Sequence, residues 1–225
     1  MALSDTTINR LLVELTNMTK ETGRNHGVVF WEMFENHVEA LTGTIVGPAG
    51  TVYEGGNFLL DIEVPEDYPQ RPPILRFMTK IWHPNVCPIT GKLHPGFYRT
   101  WCESMTIRTL LMGARRLLRS PLLEDPSNAV LTCQFVNKRD QFDLTARYWL
   151  RVYANDNATS TEYTEMDNKV AQLVETGCCD EMAARNALAF VEWDVERAFE
   201  NLWDSSQLED RDQELSAIQD AFTFK

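Results

Sequence analysis

The sequence lacks several features that would assign it to a specialised class of protein. No apolar run approaches the roughly 18 to 20 residues that a membrane-spanning helix needs. The first residues, Met-Ala-Leu-Ser-Asp-Thr-Thr, have neither the basic nor the apolar region of a signal peptide, so we expect a protein of the cytosol or the nucleus. Its 225 residues are 44% hydrophobic and 24% charged, which excludes a disordered or fibrous chain.

The cysteines do not form a pattern typical of disulfides. There are five, an odd number, and none belongs to a C-x-x-C pair: Cys87, Cys102, Cys133, Cys178 and Cys179. We therefore expect free thiols, as in proteins of reducing compartments.

Basic residues are scarce in the second part of the chain. Residues 1–153 hold 16 lysines and arginines against 16 aspartates and glutamates, whereas residues 154–225 hold 5 against 17, so the second part carries the whole net charge of −12. Such a break suggests two modules. An acidic module repels nucleic acid and anionic lipid, so we expect neither a nucleic-acid partner nor a membrane surface, and a protein with a basic face suits it better.

The pattern of apolar residues predicts an α+β protein. Residues 5–20 have helical spacing, and four strand-like runs separated by Gly- and Pro-rich turns then predict an antiparallel meander. A loop over residues 80–105 holds four aromatic side chains, which predicts that it is packed. The strand-like runs are 28–34, 39–47, 58–64 and 74–79, and the later helical segments are 106–119, 128–137, 139–153, 163–175, 180–190 and 194–204.

Four motifs in this order resemble the ubiquitin-conjugating enzyme family. They are Tyr53-Glu54-Gly55-Gly56 between two strands, the proline-rich run from Tyr68 to Pro73, Trp82-His83-Pro84-Asn85, and Trp101 with Met105-Thr106-Ile107. The resemblance covers residues 4–153. It implies the ubiquitin-conjugating (UBC) fold, a four-stranded antiparallel meander with flanking helices, and a role in ubiquitin conjugation without a cofactor.

Residues 163–204 resemble a ubiquitin-associated (UBA) domain, a small three-helix bundle. Trp193-Asp194-Val195-Glu196 is similar to the start of its third helix. The layout resembles the conjugating enzymes that carry a carboxy-terminal UBA domain and build ubiquitin chains. We therefore divide the chain into a UBC-fold domain (1–153), a linker (154–162), a UBA-like domain (163–204) and an acidic tail (205–225).

The nucleophile of the family is missing from its expected position. The family signature continues from His-Pro-Asn through an aliphatic residue, a few variable residues, Gly, one residue and an aliphatic to the reactive cysteine. This sequence has Gly91, Lys92 and Leu93, and then His94. A thiol is partly thiolate at neutral pH and stores an acyl group, whereas an acyl-imidazole hydrolyses quickly. We therefore predict that His94 carries no ubiquitin.

Alternatives at this site remain open. Cys87 or Cys102 could supply another thioester thiol, because each lies near positive charge in the sequence. A zinc site formed by His83, Cys87, His94 and Cys102 matches no usual spacing of zinc ligands, so we expect no resident metal.

The resemblance assigns supporting roles to other residues. Asn85 matches the asparagine that stabilises the oxyanion or holds its loop, and Asp125 matches an acidic residue beside the incoming lysine; a turn carboxylate is an equal interpretation of Asp125. Gln70 stands where the family often has an aromatic that contacts ligases. Arg10 is one of few basic residues in a first helix that often presents a basic face to the activating enzyme.

The UBA-like part has a modified ubiquitin-binding loop. Thr176-Gly177-Cys178 replaces Met-Gly-Phe, which keeps the glycine of the turn but removes two large apolar contacts. Leu202 and Trp203 stand where the third helix has a leucine pair. We assign ubiquitin binding to Gly177, Cys178, Leu202 and Trp203, although Leu202 as a core residue and Trp203 packed on the larger domain are equally compatible with the sequence.

The sequence favours a catalytically deficient ubiquitin-conjugating enzyme variant. Its expected partners are ubiquitin and either an active conjugating enzyme or a ubiquitin ligase. The alternative is an active enzyme that uses Cys87 or Cys102. A third hypothesis, a decoy that occupies ligases, is disfavoured by Gln70.

Overall fold

The computed structural model describes residues 4–21, 28–33, 40–124, 128–155 and 163–204. The chain divides into two compact units, Met1–Ala158 and Thr159–Lys225. The boundary falls inside residues 154–162, where the sequence predicts the linker. The predicted acidic tail, 205–225, lies outside the described residues.

The first unit is built from a helix, a sheet and three further helices. Its elements are α1 (Asp5–Glu21), β1 (Val28–Met33), β2 (Ala40–Val46), β3 (Asn57–Glu63), β4 (Ile74–Phe77), a 3₁₀ turn (Pro95–Tyr98), α2 (Ile107–Arg119), α3 (Ala129–Asn137) and α4 (Arg139–Tyr153). The strands lie in the order β1-β2-β3-β4, and each pairs antiparallel with its neighbour. The observed class is α+β, as the alternation of helical and strand-like runs predicts.

One face of the sheet packs against α2. Along β3, buried and exposed side chains alternate, as expected for a strand with one face in the core. Gly43 on β2 lies where an added Cβ would come within 3.0 Å of Leu111 Cδ1, so the absent side chain lets α2 approach the sheet. The core of the sheet and α2 is therefore continuous.

Helix α2 begins and ends where local chemistry sets its limits. Thr106 and Thr109 form a reciprocal capping box at its start, and Arg119 is its last residue, two positions before Pro121. Its buried side chains recur at helical spacing: Ile107, Leu110, Leu111, Ala114, Leu117 and Leu118. The predicted helix over 106–119 is confirmed.

The described part of the second unit, residues 163–204, contains three helices. They are α5 (Thr164–Glu175), α6 (Glu181–Phe190) and a helix over residues 195–204. Asp180 caps α6 by accepting a hydrogen bond from the Ala183 N–H at 2.7 Å. Val170, Leu173 and Leu188 are buried and supply part of the small core.

Candidate functional site

The loop after β4 contains a short hairpin that carries the candidate site. Val86 pairs with Leu93, and the His94 N–H donates to the Asn85 carbonyl at 3.0 Å. Gly91, at the tip, has φ of +74°, and a Cβ there would lie 2.0 Å from the Phe77 carbonyl oxygen. Only glycine fits this turn, and the hairpin is thereby fixed beside β4.

His83 is a structural histidine in the wall behind the hairpin. It is fully buried. Its Nδ1 accepts from the Asn85 N–H at 3.0 Å, and its Nε2 donates to the Leu117 carbonyl at 3.1 Å. Burial lowers the pKa of His83 to about 4, against which the Leu117 hydrogen bond acts only partly. The neutral ring therefore ties the loop to the end of α2.

The buried, neutral His83 predicts a loss of stability in mild acid. The unfolded chain binds a proton at His83 below a pKa of about 6.5, and the folded chain binds it only near pH 4. Folding stability should therefore be complete above about pH 6.5 and fall as the pH drops toward 4, by about 3 kcal/mol in total from this group. Hydrogen exchange in urea, resolved for peptides of the first unit, measures this free energy of unfolding.

The control for this prediction is His83→Asn, which removes the titrating ring. The variant will be less stable than the wild type at neutral pH. The difference between their free energies of unfolding should shrink as the pH falls from about 6.5 to 4. If the free energies of unfolding of the two proteins change in parallel with pH, His83 is not the group whose protonation destabilises the fold.

Asn85 is fully buried and holds the loop that follows α2. Its Nδ2 donates to the Leu122 carbonyl at 2.7 Å, and its Oδ1 accepts from the Leu122 N–H at 2.8 Å. This pair of bonds is the loop-holding role that the sequence allowed. The oxyanion role remains a prediction. Asp125, the other supporting residue, lies outside the described residues.

His94 is half-buried and caps the 3₁₀ turn that follows it. Its Nδ1 accepts a hydrogen bond from the Gly96 N–H at 3.1 Å. In a neutral imidazole an accepting Nδ1 leaves the proton on Nε2. The Nδ1 lone pair is therefore occupied, and Nε2 has none to offer to an electrophile.

Two thiols flank His94 along the chain. Burial acts to raise the pKa of the half-buried Cys87, but hydrogen bonds from Thr90 and Ile89 and the charge of Lys80 more than offset it, so the pKa is lowered. A hydrogen bond with Ser104, at 3.1 Å, lowers the pKa of the exposed Cys102. Both thiols thus have more thiolate character than an ordinary cysteine.

Cys87 does not occupy the position of His94. The hairpin pairs Asn85 with His94, and the Cys87 N–H donates to the Lys92 carbonyl at 2.9 Å. At about 3.3 Å per residue, Cys87 lies roughly 6 to 7 Å further along the strand than the residue paired with His94. Cys102 lies beyond the 3₁₀ turn, just before α2.

The described residues do not assemble a metal site from the histidines and cysteines of this loop. Within the ranges the structure describes, no group of three or more His, Cys, Asp or Glu side chains could hold an ion. Both ring nitrogens of His83 take part in hydrogen bonds to the backbone. The zinc hypothesis therefore has no support in the geometry.

The two candidate partner-facing residues differ in their surroundings. Gln70 is exposed. Arg10 is half-buried, its Nε donates to Glu14 at 2.9 Å and its Nη2 donates to the Met105 carbonyl at 2.8 Å. This basic group of α1 is therefore used to hold the fold together.

Sequence reasoning missed Glu14, which joins three parts of the first unit. It is buried, and it accepts hydrogen bonds from Arg10, from the Tyr68 hydroxyl at 2.7 Å and from the Ile107 N–H at 3.0 Å. The sequence did offer one sign of this role: Glu14 lies between the apolar positions Leu11 and Leu15, on the side of α1 that faces the core.

The candidate ubiquitin-binding residues of the second unit lie on one loop and one helix. Gly177 has φ of +75° and is exposed, and Cys178 follows it, half-buried. Leu202 is half-buried, while Trp203 is 49% exposed and stacks on Phe199 with ring centroids 6.1 Å apart. A groove between α5 and the helix over residues 195–204 is lined by Leu173, Val195 and Phe199, among others.

The fold and the motifs together define a protein of the ubiquitin-conjugation machinery. A family profile described as "Ubiquitin-conjugating enzyme" matches residues 10–150. The chain belongs to this family. Among the described residues, no helix is long and apolar enough to cross a membrane.

Individual relatives share both the sequence and the fold. The chain is 40% identical to the ubiquitin-conjugating enzyme E2-22 kDa of Drosophila melanogaster over 76% of this chain and 85% of that protein. It is 35% identical to the human ubiquitin-conjugating enzyme E2 K over 89% and 98%. Among solved structures, the E2 domain of a Toxoplasma gondii ubiquitin-conjugating enzyme superposes with a TM-score of 0.60 at 36% identity, covering 65% of this chain and 98% of that chain.

Proposed function

We propose that this protein is a catalytically deficient ubiquitin-conjugating enzyme variant that acts by binding. In this role it recognises ubiquitin and an active conjugating enzyme or a ligase, and it supports chain assembly without carrying ubiquitin itself. The observation that carries the proposal is His94, which stands at the expected nucleophile position with its Nδ1 bonded to the Gly96 N–H.

The chemistry of the imidazole supports this proposal. Attack on an activated acyl group needs a free lone pair, and the capping tautomer of His94 offers none unless the hydrogen bond to Gly96 breaks. An acyl-imidazole formed after such a break would lose ubiquitin to water. In this proposal the UBC fold keeps surfaces for partners while the transfer step is lost.

A charging assay tests the deficiency directly. We expect that the full chain, incubated with activating enzyme, ATP and ubiquitin, gives no reductant-sensitive adduct on a non-reducing gel. An active family member in a parallel reaction shows that the reagents work. An adduct on this chain that disappears with reductant would contradict the proposal.

A second candidate function is an active enzyme with a displaced thiol. It is favoured by the lowered pKa of Cys87 and of Cys102, since thiolate is the attacking species. The exposure of Cys102 leaves its sulfur accessible. If an adduct forms, Cys87→Ser and Cys102→Ser identify the carrier, because only the substitution of the reacting thiol abolishes the adduct. An adduct that survives both substitutions would lie on another residue, either His94 or one of the three remaining cysteines.

We propose further that the second unit is a UBA domain that binds the apolar face of ubiquitin. Its three helices, the glycine of the first loop and the exposed Trp203 beside Phe199 support this assignment. A large aromatic on the last helix offers apolar area that the modified loop at Cys178 has lost.

This assignment predicts that Trp203→Ala weakens ubiquitin binding about five- to tenfold, because burial of an exposed aromatic supplies much of the apolar contact. Titration of ¹⁵N-labelled ubiquitin with the full chain, followed by NMR, measures the dissociation constant. Asn168→Ala, an exposed position on α5 that does not line the groove, should leave it unchanged. If the ubiquitin resonances do not shift at millimolar concentration of the chain, the second unit does not bind ubiquitin.

A further inference from the structure

A groove of about 550 Å³ runs along α2 in the first unit. Its lining includes Arg115, Arg116 and Arg119 of α2 and Phe97 of the 3₁₀ turn. No residue that lines the groove is acidic. The lining includes no residue of the hairpin that carries His94, and Phe97 belongs to the 3₁₀ turn that His94 caps.

Among the residues that the structure describes, no carboxylate neutralises the positive charge of the groove. Arg115 Nε donates to the Val46 carbonyl at 2.9 Å, and Arg119 Nη2 donates to the Ala49 carbonyl at 2.8 Å. Both contacts are with carbonyl groups, so they orient the guanidinium groups without cancelling their charge. Arg116 is exposed, and in the described part of the chain no carboxylate pairs with any of the three arginines.

This charge is local. Residues 1–153 have equal numbers of basic and acidic side chains, 16 of each. A neutral domain with three arginines around one groove, two of them oriented by backbone carbonyls, and no acidic residue in the lining has an uneven field that favours an anionic partner at that place.

Part of the lining is apolar. Leu110, Met112 and Met105 line the groove, and the Phe97 ring approaches α2 at Gly113, where an added Cβ would lie 3.4 Å from the ring. Inorganic phosphate or a nucleic-acid backbone makes no use of these apolar side chains. A peptide with carboxylates and apolar side chains matches both the arginines and the apolar residues, and methionine side chains adapt to apolar groups of different shape.

We propose that this groove, the α2 groove, binds an acidic peptide segment of a partner protein, with an apolar side chain of that segment seated against Phe97 and Met112. Carboxylates of the segment pair with Arg116 and Arg119, and guanidinium forks suit them bidentately. The inference uses neither His94 nor ubiquitin binding, so it stands or falls separately from the proposed function.

The test uses the full chain and a labelled 14-residue synthetic peptide in which Glu and Asp alternate with Leu and Phe. We expect saturable binding by fluorescence anisotropy that weakens as salt is raised. The double substitution Arg116→Glu and Arg119→Glu should weaken it about tenfold or more, because two attractions become repulsions. Arg197→Glu, an equal charge change per site on the second unit, should alter the affinity less than twofold.

Arg119 also contacts the Ala49 carbonyl, so the single variant Arg116→Glu is measured as well. Arg116 is exposed and makes no described ion pair, and its substitution should leave folding intact while still weakening the peptide about threefold or more. Equal affinity of wild type and Arg116→Glu would overturn the proposal. So would equally tight binding of a 20-nucleotide single-stranded DNA with the same sensitivity to the variants, since that result marks a general anion surface.

Discussion

Under the proposed function, His94→Cys is expected to form a reductant-sensitive ubiquitin adduct that the wild-type chain does not form. The substitution places a thiol at the expected nucleophile position, on a hairpin that Gly91 and Asn85 already fix in place. A thiol of ordinary pKa is about 10% thiolate near pH 7.5, which suffices for attack on an activated carboxyl group. The change is measured with activating enzyme, ATP and ubiquitin on a non-reducing gel.

The cost of the substitution to the fold should be small. The Gly96 N–H loses the Nδ1 acceptor, and a sulfur accepts only weakly, so about 1 kcal/mol of stability is at stake. His94→Ala is the matched control, since it loses the same cap without gaining a nucleophile, and it should remain uncharged.

Two outcomes would contradict the reasoning behind this prediction. If wild type charges as well as His94→Cys, the imidazole is not what prevents transfer. If His94→Cys stays uncharged while folded, the deficiency extends beyond the nucleophile. Arg10 is held by Glu14 and the Met105 carbonyl, so α1, which the family resemblance leads us to expect at the activating enzyme, is the first place to look for that second loss.

Much of the fold could be predicted because its signals are local. Helix α2 combines a capping box, a 3.6-residue apolar period and a proline beyond its end, and its bounds agree with the prediction within one residue. Strand β4 was predicted to reach residue 79 but ends at Phe77. The N–H groups of Met78 and Thr79 both turn to the Leu59 carbonyl, at 2.8 and 3.3 Å, which no sequence period reveals.

The loop over residues 80–105 could not be resolved from sequence because distant contacts determine its shape. The Tyr98 hydroxyl accepts from the Leu75 N–H at 2.8 Å, and Trp101 Nε1 donates to the Pro69 carbonyl at 2.9 Å. The aromatics correctly indicated a packed loop. They gave no information on the partners, since a tyrosine or tryptophan hydrogen bond is satisfied by any suitably placed backbone group.

The candidate site was predicted by residue type but not by role. The position of His94 follows from the spacing of the motif, whereas its function as a cap depends on where the Gly96 N–H lies. Similarly, the sequence left two roles for Asn85, and only the position of Leu122 distinguishes the contact that it makes. Tautomers and hydrogen-bond partners are properties of three-dimensional placement.

Glu14 connects α1, the loop before β4 and the start of α2 through one carboxylate. Its Oε1 accepts from Arg10 and from Tyr68, and its Oε2 accepts from the Ile107 N–H, one of the unpaired donors at the start of α2. A negative charge at a helix N-terminus is also favoured by the helix dipole. Burial and the hydrogen bond to Glu14 raise the pKa of Tyr68, so the phenol remains a donor throughout the working pH range.

Glu14→Gln is therefore expected to lower the free energy of unfolding of the first unit by about 3 kcal/mol. The amide keeps a single acceptor oxygen, so at least one of the buried donors from Tyr68 and Ile107 loses its partner, and Arg10 loses its counter-charge. Hydrogen exchange in urea, read on peptides of α1 and α2, measures the change.

The matched control for Glu14 is Glu63→Gln on β3, where the carboxylate is exposed and the same chemical change should stay within about 0.5 kcal/mol. Tyr68→Phe provides a second comparison, since it removes one donor and leaves the carboxylate charged, and should cost about 1 kcal/mol. Equal stability of Glu14→Gln and Glu63→Gln would show that the carboxylate contributes nothing beyond its exposed counterpart. In that case α1 would be held on the first unit by its apolar contacts through Leu11 and Leu15 and by hydrogen bonds to backbone carbonyls, such as that of Arg10 to Met105.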